Sequence, residues 1–433
     1  MEILMLMISL CRTSKGILTP ELMFEKMNRT YTHDANMTHD AIKKFYNKEM
    51  VIWERNYDYV NIPLSCIAAI ILGVQSDRFG RKGILVVGLV SFFLDTLLKI
   101  LILWEKTDLD IYWFYAAAAI AGILGDSTLL MSGINAFVSD RFKKTTLSFR
   151  MVTVSVFFSI GSLCASSITK ALMKHFAEIM IMWIVLVLSV VIILIIVIIK
   201  DHSVPEEGKS LIYQTVPNVP LLSEYIRDLF GFMIKKRDHY LRCTLYICIF
   251  TSFMETFIFG EEKNLIGTYT RLPPFNWKTE EYSTYKLVRP IVQIIGMLGG
   301  SVIFFKLFKI KDTIIITLSI ISMAVCVLVI GLANSSAGIY VSLPFGALHG
   351  FLNPLLYAYI AKIIAGNEIG TAYAVCGIFS KAAGLLQNLI LQNIYISTLD
   401  WCQAFIWYLL TGLSLILASI FGIVHFVNRN LEI

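Results

Sequence analysis

The sequence predicts an all-α membrane protein with twelve transmembrane helices in two six-helix bundles. Three observations predict it. The chain of 433 residues is 57% hydrophobic and only 16% charged, against roughly 25% charged in an ordinary soluble domain, and its mean hydropathy is +0.70. Apolar runs long enough to cross a bilayer recur from end to end. A single long polar stretch divides these runs into two equal sets.

The spans follow from one requirement. Hydrocarbon offers no partner to backbone N–H and C=O groups, so a crossing segment must be a helix of about 20 apolar residues. Such runs fall at approximately 2–22, 57–76, 83–104, 112–136, 151–171, 178–200, 241–262, 285–307, 313–332, 338–362, 371–396 and 402–426. The first is the weakest, because Arg12 and Lys15 interrupt it, and the run from Ile179 to Ile199 is the strongest. The connection from Lys200 to Arg242 carries Pro205, Pro217, Pro220, the acidic pair Glu206-Glu207 and the basic cluster Lys235-Lys236-Arg237. It separates an N-terminal bundle (1–200) from a C-terminal bundle (241–433) by a cytoplasmic linker (201–240), the shape of a two-bundle transporter. No cleavable signal peptide is visible, since no small-residue cleavage site follows Arg12 and Lys15. With no tail ahead of Glu2, a start downstream of the natural one is an open reading.

Charge placement sets the expected orientation. The net charge of +6 sits mostly in a few loops, so it argues for bilayer topology and against a nucleic-acid partner. With the N-terminus inside, loops 77–82, 140–150 and 306–312 and the central linker are all inner and all basic. The sequons at Asn28, Asn36 and Asn334 then all fall outside. The expectation is a glycosylated multi-pass protein of the plasma or lysosomal membrane with both termini cytoplasmic.

Between the second and third spans stands Gly73-Val74-Gln75-Ser76-Asp77-Arg78-Phe79-Gly80-Arg81-Lys82. Gly80 permits a tight turn between antiparallel helices, Gly73 permits close helix approach, and Asp77 can pair with a basic residue and a helix N-terminus. Arg78, Arg81 and Lys82 hold the turn inside. This stretch resembles the loop signature of the major facilitator superfamily, roughly G-x-x-x-D-R-x-G-R-K. The resemblance implies the major facilitator fold and a gating loop that latches the two halves on the cytoplasmic side and opens in each cycle. The corresponding second-half loop, Lys306 to Asp312, is a poor copy.

Further residues narrow the resemblance. Glu2-Ile3-Leu4, Gly125-Asp126, Asp140, Ser148-Phe149-Arg150-Met151, Tyr269-Thr270-Arg271, Trp277, Glu368 and Gly370 resemble the proton-coupled folate transporter group, solute carrier family forty-six. What carries over is Asp77, Gly80 and Arg81, with Asp126 and Arg150. The departures are Ser155 for the group's fifth-span glutamate, Ile258 for its seventh-span histidine and Tyr357 for its tenth-span arginine. Asn276 stands where one of its disulfide cysteines would be. The resemblance therefore implies a transporter and not folate as its substrate.

Ionisable residues within spans cost about 2.5–3.5 kcal/mol each on insertion scales, so each needs a reason. Asp95 and Lys99, four apart, read as a structural pair. Asp126 reads equally as a cavity group or an inter-helix bond. Glu255 has no basic neighbour in sequence and is a candidate protonatable group, with a structural bond to a hydroxyl such as Thr251 as the alternative. His349 lies between Pro344 and Pro354, where a bend is expected; helix packing is its leading reading and a proton role its second. Lys381, near Gln387 and Asn388, is a candidate for facing an anionic substrate or for pairing with Glu255 or Asp126. Arg12 and Lys15 read as cavity-lining. The G-x-x-x-G at Gly296 to Gly300 reads as helix packing.

No phosphate-cradling loop, nucleophile triad or metal-ligand spacing is present in the sequence, so no enzyme activity, cofactor or metal is expected, and gradients rather than ATP would drive transport. The function expected is secondary transport of a small organic solute, possible coupling to protons included; a receptor or scaffold built on a transporter fold is the competing reading.

Overall fold

The computed structural model describes residues 1–31, 39–107, 109–199, 222–237 and 240–428. These residues are helical, with no strand among them. Among the described residues, eleven helices are long and apolar enough to cross a bilayer, and a bent pair, Ser336–Phe345 with Ala347–Ile363, brings the number to twelve. The expected all-α architecture with twelve spans is found.

The helices are α1 (Glu2–Thr30), α2 (His39–Phe79), α3 (Arg81–Leu103), α4 (Trp113–Ile123), α5 (Asp126–Arg141), α6 (Lys144–Leu172), α7 (Glu178–Ile198) and α8 (Leu222–Ile234). The chain continues with α9 (Leu241–Met254), a π turn (Glu255–Phe259), α10 (Gly260–Arg271), α11 (Thr279–Ser301) and a second π turn (Val302–Leu307). It ends with α12 (Asp312–Leu332), α13 (Ser336–Phe345), a 3-10 turn (Ala347–Phe351), α14 (Leu352–Ile363), α15 (Ile369–Thr398) and α16 (Phe405–Val427). Contacts group them into two units. The first holds Met1–Phe137 and Ile160–Arg227, and the second holds Val138–Ser159 and Asp228–Ile433.

In the first unit the helices outrun their apolar stretches. α1 continues to Thr30 and α2 begins at His39, so the expected long first outer loop is mostly helix. Its amphipathic turns have a core of their own: Leu22, Met23, Met27, Tyr46 and Trp53 pack with Ile100, Leu103 and Phe114. Trp53 Nε1 donates to Tyr31 Oη at 3.0 Å. A hydropathy window ends where charged residues appear, yet charged residues on an outer face cost a helix little.

The fourth span is broken rather than continuous. Gly125 (φ 83°) and Asp126 (φ 51°) both lie in the left-handed region, which separates α4 from α5. Glycine adopts it freely and aspartate tolerates it better than most residues.

In the second unit the tenth span divides at Gly346 and bends by 40°. Pro354 sits in the first turn of α14, where a missing N–H costs no hydrogen bond. Gly296 on α11 faces the 3-10 turn so closely that a Cβ would lie 2.3 Å from the Ala347 carbonyl oxygen. The packing reading of the Gly296 motif therefore holds.

Candidate functional site

The residues of the Gly73–Lys82 stretch bond to one another and to neighbouring helices within the first unit. Gly80, at φ 99°, turns the chain between α2 and α3. Arg81 is 2% exposed; its Nη1 donates to Asp77 Oδ1 and to Ser76 Oγ at 2.8 Å. Ser76 Oγ passes the chain to the Gly73 carbonyl at 2.9 Å. Lys82 Nζ donates to the Val197 carbonyl near the end of α7, where a cation meets the negative end of the helix dipole. Gln75 Nε2 donates to Tyr225 Oη on α8 at 2.8 Å. The Arg78 side chain lies outside the described residues.

A second set of charges lies inside the first unit. Asp95 Oδ2 accepts from Lys15 and from Lys99 at 3.0 Å, and Asp95 Oδ1 accepts from Tyr57 Oη at 2.7 Å. The pair expected from sequence is thus a triad with a tyrosine, and Lys15 belongs to it. Both ammoniums also lie over rings, Lys15 over Phe92 (4.4 Å) and Lys99 over Tyr57 (4.3 Å), a contact that partly replaces lost hydration. Asp126, at the start of α5, acts electrostatically on Arg12, Lys15 and Tyr57. Arg12 lines a small recess with Cys11, Phe92, Met131 and Ser189. Glu54, partly buried on α2, is also within electrostatic reach of Lys99.

The second unit brings together two residues 94 positions apart in sequence, Glu255 and His349. Glu255 Oε1 lies 4.0 Å from His349 Nε2, with side-chain exposures of 15% and 5%. Two helix irregularities place them. Glu255 opens the π turn that interrupts the seventh span, and such turns re-aim one residue out of the regular stripe. His349 sits in the 3-10 turn of the broken tenth span. Phe259, at the end of the π turn, meets the imidazole edge-on with centroids 4.6 Å apart. Glu255 has no basic neighbour in sequence; the imidazole beside it comes from a different helix, which spacing cannot show.

Polar side chains continue from this pair. Tyr357 bonds Ser252 and feels the Glu255 carboxylate. Its carbonyl accepts from Tyr373 Oη at 2.7 Å, and Tyr373 Oη lies 2.8 Å from Ser139 Oγ. Ser252 and Ser380 hydroxyls are 3.1 Å apart, which puts Lys381, the next residue of α15, on the helix that flanks this region. The Asn388 side chain lies outside the described residues. Ile258 is fully buried and forms an apolar wall. Arg150 covers the Phe142 ring at 4.9 Å.

Two further ion pairs in the second unit escape a sequence reading. Asp312, in the loop that poorly copies the gating signature, is buried and accepts from Lys362 Nζ at 2.8 Å and Ser148 Oγ at 2.6 Å. Glu262, 0% exposed, pairs with Arg289 and accepts from Tyr285 Oη at 3.4 Å. The available signal was only that a carboxylate within a span requires a partner.

Comparison with known proteins decides what these features belong to. The family model of the Major Facilitator Superfamily matches residues 62–387. The chain belongs to the Major Facilitator Superfamily. Among curated relatives, this superfamily member is 20% identical over 346 residues to a probable peptidoglycan muropeptide transporter of Drosophila melanogaster, covering 78% of this chain and 66% of the relative. It is also 20% identical over 374 residues to the proton-coupled folate transporter of Bos taurus, covering 86% of this chain and 79% of that one. The resemblance to the folate transporter group therefore stands at the level of distant relatives. Among solved structures, the human organic anion transporter MFSD10 superposes with a TM-score of 0.74 at 16% identity, covering 97% of both chains. The proton:xylose symporter XylE superposes with a TM-score of 0.69 at 12% identity, covering 97% of this chain and 94% of its own. The fold and family are those of secondary transporters.

Proposed function

We propose that this superfamily member moves a small organic anion across the membrane by alternating access, coupled to protons at Glu255 and His349. The carrying observation is that carboxylate and imidazole, 4.0 Å apart on two deformed spans. A buried acid beside a base can take up and release a proton as the site's exposure changes. Anionic cargo is supported by Arg12, which lines the small recess of the first unit. It is in keeping with relatives whose names state a proton-coupled folate transporter and a muropeptide transporter. Residues 1–200 and 241–433 serve as the two moving bundles and 201–240 as their linker. Asp77 and Arg81 serve as the latch.

Vesicles holding the full chain test this with a panel of labelled organic anions and an imposed proton gradient. Uptake of at least one anion is expected to rise when the outer face is acidified from about pH 7.5 to about 5.5, spanning the ordinary imidazole titration. Asp77→Asn should slow that uptake, because Arg81 would lose its buried counter-charge. No uptake of any anion in the panel, with Asp77→Asn indistinguishable from wild type, would sink the transporter reading.

The sidedness proposed is N-terminus inside, with outer N-glycans. Asn28 and Asn334 are exposed; Asn36 lies outside the described residues. An endoglycosidase should increase the mobility of the chain made in cells. Asn28→Gln and Asn334→Gln should each remove part of that shift. A chain unaffected by the enzyme would remove the glycan support for this topology.

A further inference from the structure

α8 is amphipathic in an unusual way: it buries one apolar stripe and presents another. Tyr225 and Phe232 are 3% and 6% exposed. Ile226, Phe230 and Ile234 stand at four-residue intervals, so they share one face, and are 39%, 61% and 65% exposed. The helix is followed by Lys235, Lys236, Arg237 and, at the start of α9, Arg242. Lys235 and Arg237 are committed to Glu368. Lys236 and Arg242 are exposed, and the Arg242 guanidinium donates to the Ile234 carbonyl at 3.3 Å, which leaves its charge uncancelled by that contact.

Beneath this basic end lies an apolar cavity of about 440 Å³, lined by Met233, Tyr246, Ile249, Phe250, Phe253 and Phe379. Its walls come from α8 and from the membrane-spanning helices α9 and α15. Tyr246 Oη donates to the Met233 carbonyl and ties α8 over the opening. Phe250 and Phe379 are 44% and 42% exposed, so the wall continues onto surface that a spanning helix turns toward lipid.

An exposed apolar stripe, an apolar cavity and two exposed cations at the end of the same helix match a single chemistry, that of an anionic phospholipid. We propose that α8 lies in the membrane interface and that this site holds one such lipid, its acyl chain in the cavity and its headgroup against Lys236 and Arg242. A protein partner is the less favoured occupant, because the cavity opens along helices that face the bilayer. The proposal rests on those helices spanning the membrane and not on the transport chemistry, so the two readings fail separately.

Native mass spectrometry of the full chain in detergent tests it, with phosphatidylglycerol and phosphatidylcholine of identical acyl chains as probes. One phosphatidylglycerol is expected to be retained with about a 25-fold preference, about fivefold for each of the two cations. Lys236→Gln with Arg242→Gln should equalise the two lipids. Ile249→Trp, or the milder Ile249→Phe if the former does not fold, should lose both by filling the cavity. Equal retention of both lipids by the wild type, a preference that survives the charge changes, or undiminished retention in a folded cavity-filling variant would each overturn the proposal.

Discussion

Glu255→Gln should remove the acceleration of uptake by outer acid while leaving a folded, membrane-inserted protein. Glutamine keeps the size of the side chain and can still accept from the Thr256 hydroxyl, which lies 3.5 Å from the carboxylate. It cannot bind and release a proton. If proton movement is tied to substrate movement at this position, inward transport under an acid outer pH should drop about tenfold or more, the scale of losing a positioned acid–base group. Exchange of substrate without a gradient should survive. His349→Gln should act differently. Removing the imidazole takes away the group that lies 4.0 Å from the Glu255 carboxylate. Uptake should then depend on pH with an altered midpoint. Tyr357, in the field of the same carboxylate, should be tested alongside as Tyr357→Phe, which keeps the ring and removes the hydroxyl bonded to Ser252. Initial rates between about pH 5.5 and 7.5 check all three. Glu255→Gln with an undiminished acid response would remove this pair from the coupling step.

The largest loss of stability should come from Asp95→Asn. Asp95 is 5% exposed and is the shared acceptor of Lys15, Lys99 and Tyr57. Asparagine would leave two buried ammoniums facing a neutral amide that also brings donors of its own. Removing one partner of a buried ion pair costs about 3–5 kcal/mol, and here one carboxylate serves two cations. Lys15→Met should cost less, because Lys99 and Tyr57 still hold the carboxylate and methionine fills the space of the lysine stem. Adding Lys15→Met to Asp95→Asn should recover part of the loss, since it removes one uncompensated charge. Thermal unfolding of the purified chain in detergent reads these differences in order. Asp95→Asn melting with the wild type would mean that water or lipid headgroups solvate the lysines and the triad is not a structural centre.

The sequence read correctly wherever a requirement is local. Twelve spans were legible because each must satisfy its own backbone hydrogen bonds, so each announces itself as a contiguous apolar run. Gly80 was legible because a tight turn between two helices needs a residue that accepts positive φ. Asp77 and Arg81 are four apart on continuous chain, and their ion pair is a short-range event.

Pairings across helices were not legible. Lys15 looked like a cavity residue until α1 packed where α3 could offer Asp95. Glu255 looked isolated until the π turn and the broken tenth span aimed it and His349 at each other. Asp312 and Glu262 drew no notice, because their partners Lys362 and Arg289 lie 50 and 27 positions away.

By itself, then, the sequence determined a membrane protein, its number of crossings and its glycine turn at Gly80, because hydrophobicity and turn geometry act over a few residues. Only the tertiary structure decided which buried charges meet. A charge in a low-dielectric interior must find its partner wherever helix packing delivers one, and that choice is written in the contacts of all the helices together. The turn from Gly73 to Lys82 identifies the machine, and the Glu255–His349 contact shows where its chemistry is to be sought.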